Sequence, residues 1–315
     1  MSVTKLTSFK IEFTGPNQHL YSNGNQQLSV TVIAQKTVDG NYVDLTPEEK
    51  NSIRVAERSE NINAPLPPNW YSDTQQNGFT EGSYSGAPFA RRSLDEAPEE
   101  THPIQTYDDS NPNVAVRYLR TTDTASRQFM GTIMIEGTKY TTNMASYNQY
   151  LKVTPTAPYK ITVDRLQLNR DDAFNYEYSK DESYDVDIYY WTLPNLTVKQ
   201  ESFSGAGYRS SKLEFCFAKV IDSSVRDGAA IKKDVTSLTL GDIYGSSHNS
   251  GANIPLSSSG SYMRALRILI TGRSTSPTYS NNLSWTIVDN YGCTHKFILR
   301  AAANSDYNTL SLTNG

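Results

Sequence analysis

The chain has 315 residues, 37% of them hydrophobic and 20% charged, with 29 basic and 33 acidic side chains and a formal net charge of −4. This balance supplies material for buried cores and excludes pervasive disorder, and it provides no global field that would draw the chain to nucleic acid or an anionic membrane. The length exceeds that of a usual domain of about 100–200 residues, so two domains are expected.

The opening MSVTKLTSFKIEF lacks the basic, apolar and small-residue succession of a Sec signal peptide. Synthesis in the cytoplasm without Sec export is expected, with an inclusion, a virion or non-Sec export as final destinations. No run approaches the roughly 18 apolar residues of a membrane helix, and RALRILITG (264–272) is only strand length, so membrane insertion is not expected. The two cysteines, Cys216 and Cys293, suit a reducing compartment and are expected as free thiols, with pairing as the alternative.

Strand signals begin at KLTSFKIEF (5–13). QQLSVTVIAQ (26–35) alternates, with Leu28, Val30, Val32 and Ala34 on an inward face and Ser29, Thr31 and Ile33 on the other. LTPEEKNSIRV (45–55) offers Thr46 as a helix N-cap with Pro47 at the first position, enough for a short turn. The succession of strand, polar hairpin, short turn and strand in LSVTVIAQKTVDGNYVDLTPEEKNSIRV resembles bacterial immunoglobulin-like domains of the invasin/Big type over residues 5–55. The resemblance implies a β-sandwich architecture and transfers no activity.

From about 56 to 112 the alternation stops. Seven prolines interrupt this stretch, so it cannot pair continuously in a sheet and reads as a long arm inserted in the first domain. The arm is expected to lie against its own sandwich or a neighbouring subunit, anchored by Trp70, Tyr71, Phe79, Tyr84 and Phe89.

Beyond it, NVAVRYLRT (113–121) reads as a strand and GTIMIEGTKYTTNMA (131–145) as a hairpin turning at Glu136-Gly137. KVTPTAPYKI (152–161) has the composition of a short extended linker. Similar phrases then recur in the same order: KITVDRLQL (160–168), ESYDVDIYYW (182–191), YMRALRILI (262–270) and WTIVDNYGCTHKFIL (285–299). The sequence therefore predicts an all-β chain of two tandem, homologous immunoglobulin-like antiparallel β-sandwiches, 1–155 with the arm at 56–112, and 156–315. In the second, Tyr184, Val186, Ile188 and Tyr190 are expected inward and Asp185, Asp187, Tyr189 and Trp191 outward, which makes Tyr189 and Trp191 further contact candidates. The Gly/Ser-rich run 241–261 reads as a flexible loop.

No phosphate-binding loop, dinucleotide fingerprint, zinc-protease or serine-hydrolase motif occurs, and the four histidines are scattered. The acidic stretch 169–187 holds oxygen donors of the kind calcium takes, but without ligand-loop spacing, and a solvated hairpin is the favoured reading. No catalytic residue, metal or cofactor is assigned. The expected function is that of a non-enzymatic structural or interaction protein that self-associates, as a homo-oligomer, through sandwich edges, the 56–112 arm and exposed tyrosines. The alternative is a glycan-binding or host-interaction (toxin-associated) module that uses exposed aromatics as stacking platforms.

Overall fold

A computed structural model describes residues 2–86, 110–244, 253–257, 260–273 and 278–315. The chain is built almost wholly from antiparallel β-sheets, and no helix among the described residues is long and apolar enough to cross a membrane. It divides into two compact units: Met1–Tyr159 with Tyr291–Cys293, and Lys160–Asn290 with Thr294–Gly315.

The first unit runs β1 (Thr4–Phe13), β2 (Leu28–Val38), β3 (Asn41–Val43), α1 (Pro47–Ser52), β4 (Arg54–Glu57), β5 (Trp70–Asp73), β6 (Val114–Thr121), β7 (Arg127–Ile135), β8 (Thr138–Thr141) and β9 (Leu151–Val153). One sheet has the order β1-β2-β6-β5, with β3 added to β2; the other has the order β4-β7-β8, with β9 also on β7. Leu28, Val30, Val32 and Ala34 of β2 point into the core with Phe9, Ile11, Leu119, Phe129 and Ile133, as the alternation predicts. The sheets come so close at Gly131 that a Cβ there would lie 2.9 Å from Val32 Cγ1. Hairpins turn at Asp39-Gly40 and Glu136-Gly137, where both residues of each pair have positive φ, the geometry that matches strand twist. Thr46 and Glu49 close a capping box on α1, and the Glu49 carboxylate also meets buried Lys36 Nζ at 2.6 Å.

The second unit contains β10 (Gln167–Ser179), β11 (Glu182–Thr192), β12 (Val198–Ser204), β13 (Tyr208–Arg209), β14 (Leu213–Ile221), β15 (Ser224–Ile231), β16 (Ser237–Thr239), α2 (Leu240–Tyr244), β17 (Asn253–Pro255), β18 (Tyr262–Thr271), β19 (Tyr279–Ser280), β20 (Leu283–Asp289), β21 (Thr294–Ala301) and β22 (Leu310–Asn314). Its large sheet has the order β10-β11-β18-β15-β14-β13, with β19 on β14; a second sheet has the order β12-β20-β21-β22, and β16 pairs with β17. Tyr184, Val186 and Ile188 pack with Leu238, Ile243 and Ile254 of the β16–α2–β17 segment. The opposite face is also covered, because the Tyr189 hydroxyl accepts a hydrogen bond from Leu310 N and Phe217 packs edge-on against Tyr307 at 5.3 Å.

Several expectations need correction. KITVDRLQL is not a strand throughout: Val163–Arg165 form a 3-10 turn, and the strand that pairs with β11 starts at Gln167 and runs through the acidic stretch. Asp187, Tyr189 and Trp191 are buried, not outward, because the large sheet is covered on both faces. The 56–112 stretch is no unbroken arm, since it begins within β4 and includes β5, which pairs with β6. The described part of 241–261 contributes the end of α2 and all of β17.

Candidate functional site

The outward face of the first unit's β1-β2-β6-β5 sheet carries the polar half of the alternation. Tyr71 of β5 stands opposite Arg120 of β6, and Asp73 opposite Tyr118, which in turn faces Ser29 of β2. Tyr71 is 47% exposed, and the Arg120 guanidinium lies over its ring at 4.4 Å from the centroid. Arg120 Nε donates to Asp73 Oδ2 at 2.8 Å, and Gln27 Nε2 donates to the same oxygen at 2.8 Å. Partial burial raises the Asp73 pKa, but the hydrogen bonds from Arg120 and Gln27 and the charge of Arg120 outweigh it, so the carboxyl sits below its ordinary range and is ionised at neutral pH.

Residues 74–86 leave β5 as an irregular strap across this face. Gln26 and Gln27, 0% and 1% exposed, fasten it: Gln26 Nε2 donates to Thr80 O and Gly82 O, while Gln27 Nε2 donates to Gln75 O and Gln27 Oε1 accepts from Asn77 N. Ser29 Oγ donates to Glu81 Oε2 at 2.9 Å, and Tyr84 N donates to the Tyr21 hydroxyl at 3.1 Å. Between strap and sheet opens a shallow cleft of about 450 Å³, lined by Asn25, Gln27, Asp73, Gln75, Asn77 and Arg120 among others. Its lining is amide-rich, and its one carboxylate and one guanidinium pair with each other.

The aromatic anchors divide on this geometry. Tyr71 is not part of the cleft lining but neighbours it through Arg120, which lines the cleft and covers the Tyr71 ring, and Phe79 is half-buried on the strap. Trp70 is 4% exposed and packs on Phe129 at 4.6 Å, while Tyr84 is 3% exposed with its ring 4.9 Å from Tyr159. Tyr189 and Trp191, each 3% exposed, stack on one another inside the second unit. These four are core residues, not contact surface. Phe89 lies outside the described residues.

Two charged clusters elsewhere offer chemistry. Asp172, Asp185 and Asp187 bring carboxylate oxygens within 4.8 Å of one another. Arg267 pairs with both Asp185 and Asp187, and Arg170 also meets Asp187, so two guanidiniums already occupy two of the three carboxylates. A divalent cation would have to displace them, and the cluster reads as a partly buried ion-pair network centred on Asp187 and Arg267. In the second hairpin, His295 Nε2 lies 3.0 Å from Asp289 Oδ2, while His295 Nδ1 accepts the Ile161 N–H at 2.9 Å. A backbone N–H can only donate, so Nδ1 is bare and the ring proton sits on Nε2, facing the carboxylate. Both side chains are 0% exposed, which makes the pair a structural tie and not a catalytic dyad.

The sequence reading missed Gln26, Gln27 and Arg120. The one signal was the polar QQ directly ahead of a strong strand, where two long amides serve the irregular backbone beside it.

The sequence matches no family model and no curated protein. Among solved structures, similarity is found to domains 5–6 of the S-layer protein SbsC, at 7% identity over 99% of this chain and 98% of the other, with a TM-score of 0.23. It is also found to the C-terminal domain of the Streptococcus pyogenes antigen I/II-family protein AspA, at 11% identity over 99% and 100% with a TM-score of 0.22. A third is the collagen binding domain of Erysipelothrix rhusiopathiae surface protein RspB, at 9% identity over 98% and 94% with a TM-score of 0.17.

Proposed function

We propose that the chain is a non-enzymatic binding module that takes a neutral, hydroxyl-rich ligand, a glycan, in the cleft beside Tyr71. The observation that carries this reading is the pairing of a half-exposed tyrosine ring with a lining of amides and an internally neutralised Asp73–Arg120 pair. A sugar presents C–H faces that stack on an aromatic plane and hydroxyls that both donate and accept, and amide side chains answer both demands. A charged ligand would meet no unbalanced partner in the Asp73–Arg120 pair.

Self-association through sheet edges is the competing reading, and β10 is where it has most support. This edge strand is 13 residues long and exposes Leu168 and Tyr176. Two register irregularities, between Asp172 and Phe174 and between Glu177 and Ser179, together with Arg170, Asp171 and Asp172, blunt it in the way that edges are protected from pairing.

A glycan array probed with the full chain and with Tyr71→Ala tests the proposal. Binding to a subset of neutral glycans, lost in the variant, is expected. Absence of binding, together with a mass above the monomer in light scattering, would transfer the function to self-association.

A further inference from the structure

We infer that Gln26 and Gln27 are positioning residues, two buried amides next to β2 that hold the strap, and that Gln27 thereby sets the wall of the ligand cleft. The inference rests on the reading that the Tyr71 cleft binds ligand.

An irregular segment crossing a sheet face has no ladder to satisfy its backbone, and every N–H and C=O it buries needs a partner. The buried core of the first unit draws none of its members from residues 74–83, so apart from Tyr84 at the strap's end apolar packing does not supply the hold. The two glutamines do. Gln26 donates both amide hydrogens to the strap, to Thr80 O at 2.9 Å and Gly82 O at 2.7 Å, and its Oε1 accepts Tyr21 N at 2.7 Å. Gln27 donates one hydrogen to Asp73 Oδ2 at 2.8 Å and the other to Gln75 O at 3.2 Å, while its Oε1 accepts Asn77 N at 2.8 Å. A single side chain thus joins both walls of the cleft, the β5 carboxylate on one side and the strap backbone at 75–77 on the other. No smaller polar residue has this reach with both donors and an acceptor, and glutamate would set a second carboxylate against Asp73 and the carbonyl of Gln75.

Gln27→Met keeps the length and apolar stem and removes the three bonds. Hydrogen exchange and oligosaccharide affinity, measured on the full chain with an oligosaccharide identified on the array, test the role. Exchange at 74–78, above all at the Asn77 amide, is expected to rise about tenfold or more, with β2 and β6 unchanged, and affinity to fall by about tenfold. Gln26→Met should instead speed exchange at 80–84 and leave affinity within about threefold, because its bonds lie beyond the cleft. Asn77→Ala lies on the exposed strap, where it cannot unfold the sandwich, and removes the Asn77 Nδ2 bond to Asn25 O and the bond that Asn77 Oδ1 accepts from Phe79 N. It should loosen 74–78 in the same direction as Gln27→Met. Unchanged exchange in Gln27→Met would overturn the clamp, and faster exchange with unchanged affinity would overturn its link to the cleft. If the wild-type chain takes no oligosaccharide, the ligand class proposed above fails, whereas the exchange measurement still decides the clamp.

Discussion

At the scale of single residues, neighbours in sequence have opposite roles. Trp70 and Tyr71 are adjacent on β5, so their side chains point to opposite faces of the sheet, one into the core against Phe129 and one out over Arg120. Trp70→Ala should cost about 3–5 kcal/mol of stability, while Tyr71→Ala should stay within about 0.5 kcal/mol; thermal or denaturant melts separate the two. Burial also sets titration. The Glu81 carboxyl on the strap and the Glu201 carboxyl on β12 are both pushed above their ordinary 4.5, chiefly by burial, and their hydrogen bonds offset only part of it. An acid whose folded pKa is raised binds its proton more tightly when folded. Its stabilising contribution is complete below 4.5 and is lost as pH rises through the folded value. Replacing either residue by Gln should therefore flatten the decline in melting temperature between the usual glutamate range and neutrality, and an unchanged slope would contradict the assignment. Cys216, whose thiol burial pushes to about 12, should resist alkylation at neutral pH until the chain unfolds.

At the scale of elements, alternation located β2, β6, β7 and β11 and the inward faces of β2 and β11, because period two is written in the side chains themselves. It could not show what covers the other face. In β2 that face meets the strap at Ser29, and Thr31 is 0% exposed with its hydroxyl 2.9 Å from that of Thr14. In β11 Asp187 is 2% exposed and ion-paired with Arg267. Substitutions that simple alternation treats as mild are thus predicted to be severe: Thr31→Asp buries an unpaired charge as Val30→Asp does, and Asp187→Asn deprives buried Arg267 of a partner at a cost of about 3 kcal/mol. Melts of the four variants Val30→Asp, Thr31→Asp, Val186→Asp and Asp187→Asn should all show marked losses; a mild Thr31→Asp would contradict the burial of the second face of β2 at Thr31. The acidic stretch was legible as a hairpin, but its pairing with Arg267 was not, since Arg267 arrives from a strand about eighty residues away. Of the cleft, only the neighbouring Tyr71 was legible. Its amide lining depends on the path of the strap, which no local pattern encodes.

At the scale of the whole molecule, both units repeat one order of connections. A hairpin, β1-β2 or β10-β11, is followed by a strand of the second sheet, β4 or β12. Then come strands that extend the first sheet, β5-β6 or β15-β18, and a hairpin of the second, β7-β8 or β20-β21. The second unit adds β13, β14, β19, β22 and the β16–α2–β17 cover. Duplication of one sandwich is the proposal that accounts for this order together with the repeated phrases. The strap follows β5 at the point where the second unit carries the β16–α2–β17 cover between β15 and β18, so the two units differ there, which is why the binding proposal concerns the first unit. The full chain should melt in two calorimetric transitions, with Trp70→Ala shifting one and Val186→Asp the other; a single transition displaced by both would contradict independent cores.

If Tyr71 marks a ligand cleft and is not merely an exposed ring, a second exposed tyrosine should not share its role. Tyr42, 77% exposed on β3, provides the comparison. With the oligosaccharide that binds most tightly on the array, titration calorimetry should show Tyr71→Ala weakening binding about tenfold or more, equivalent to about 1.4 kcal/mol, and Tyr42→Ala leaving it unchanged. Equal affinities for the wild type and both variants would contradict the account.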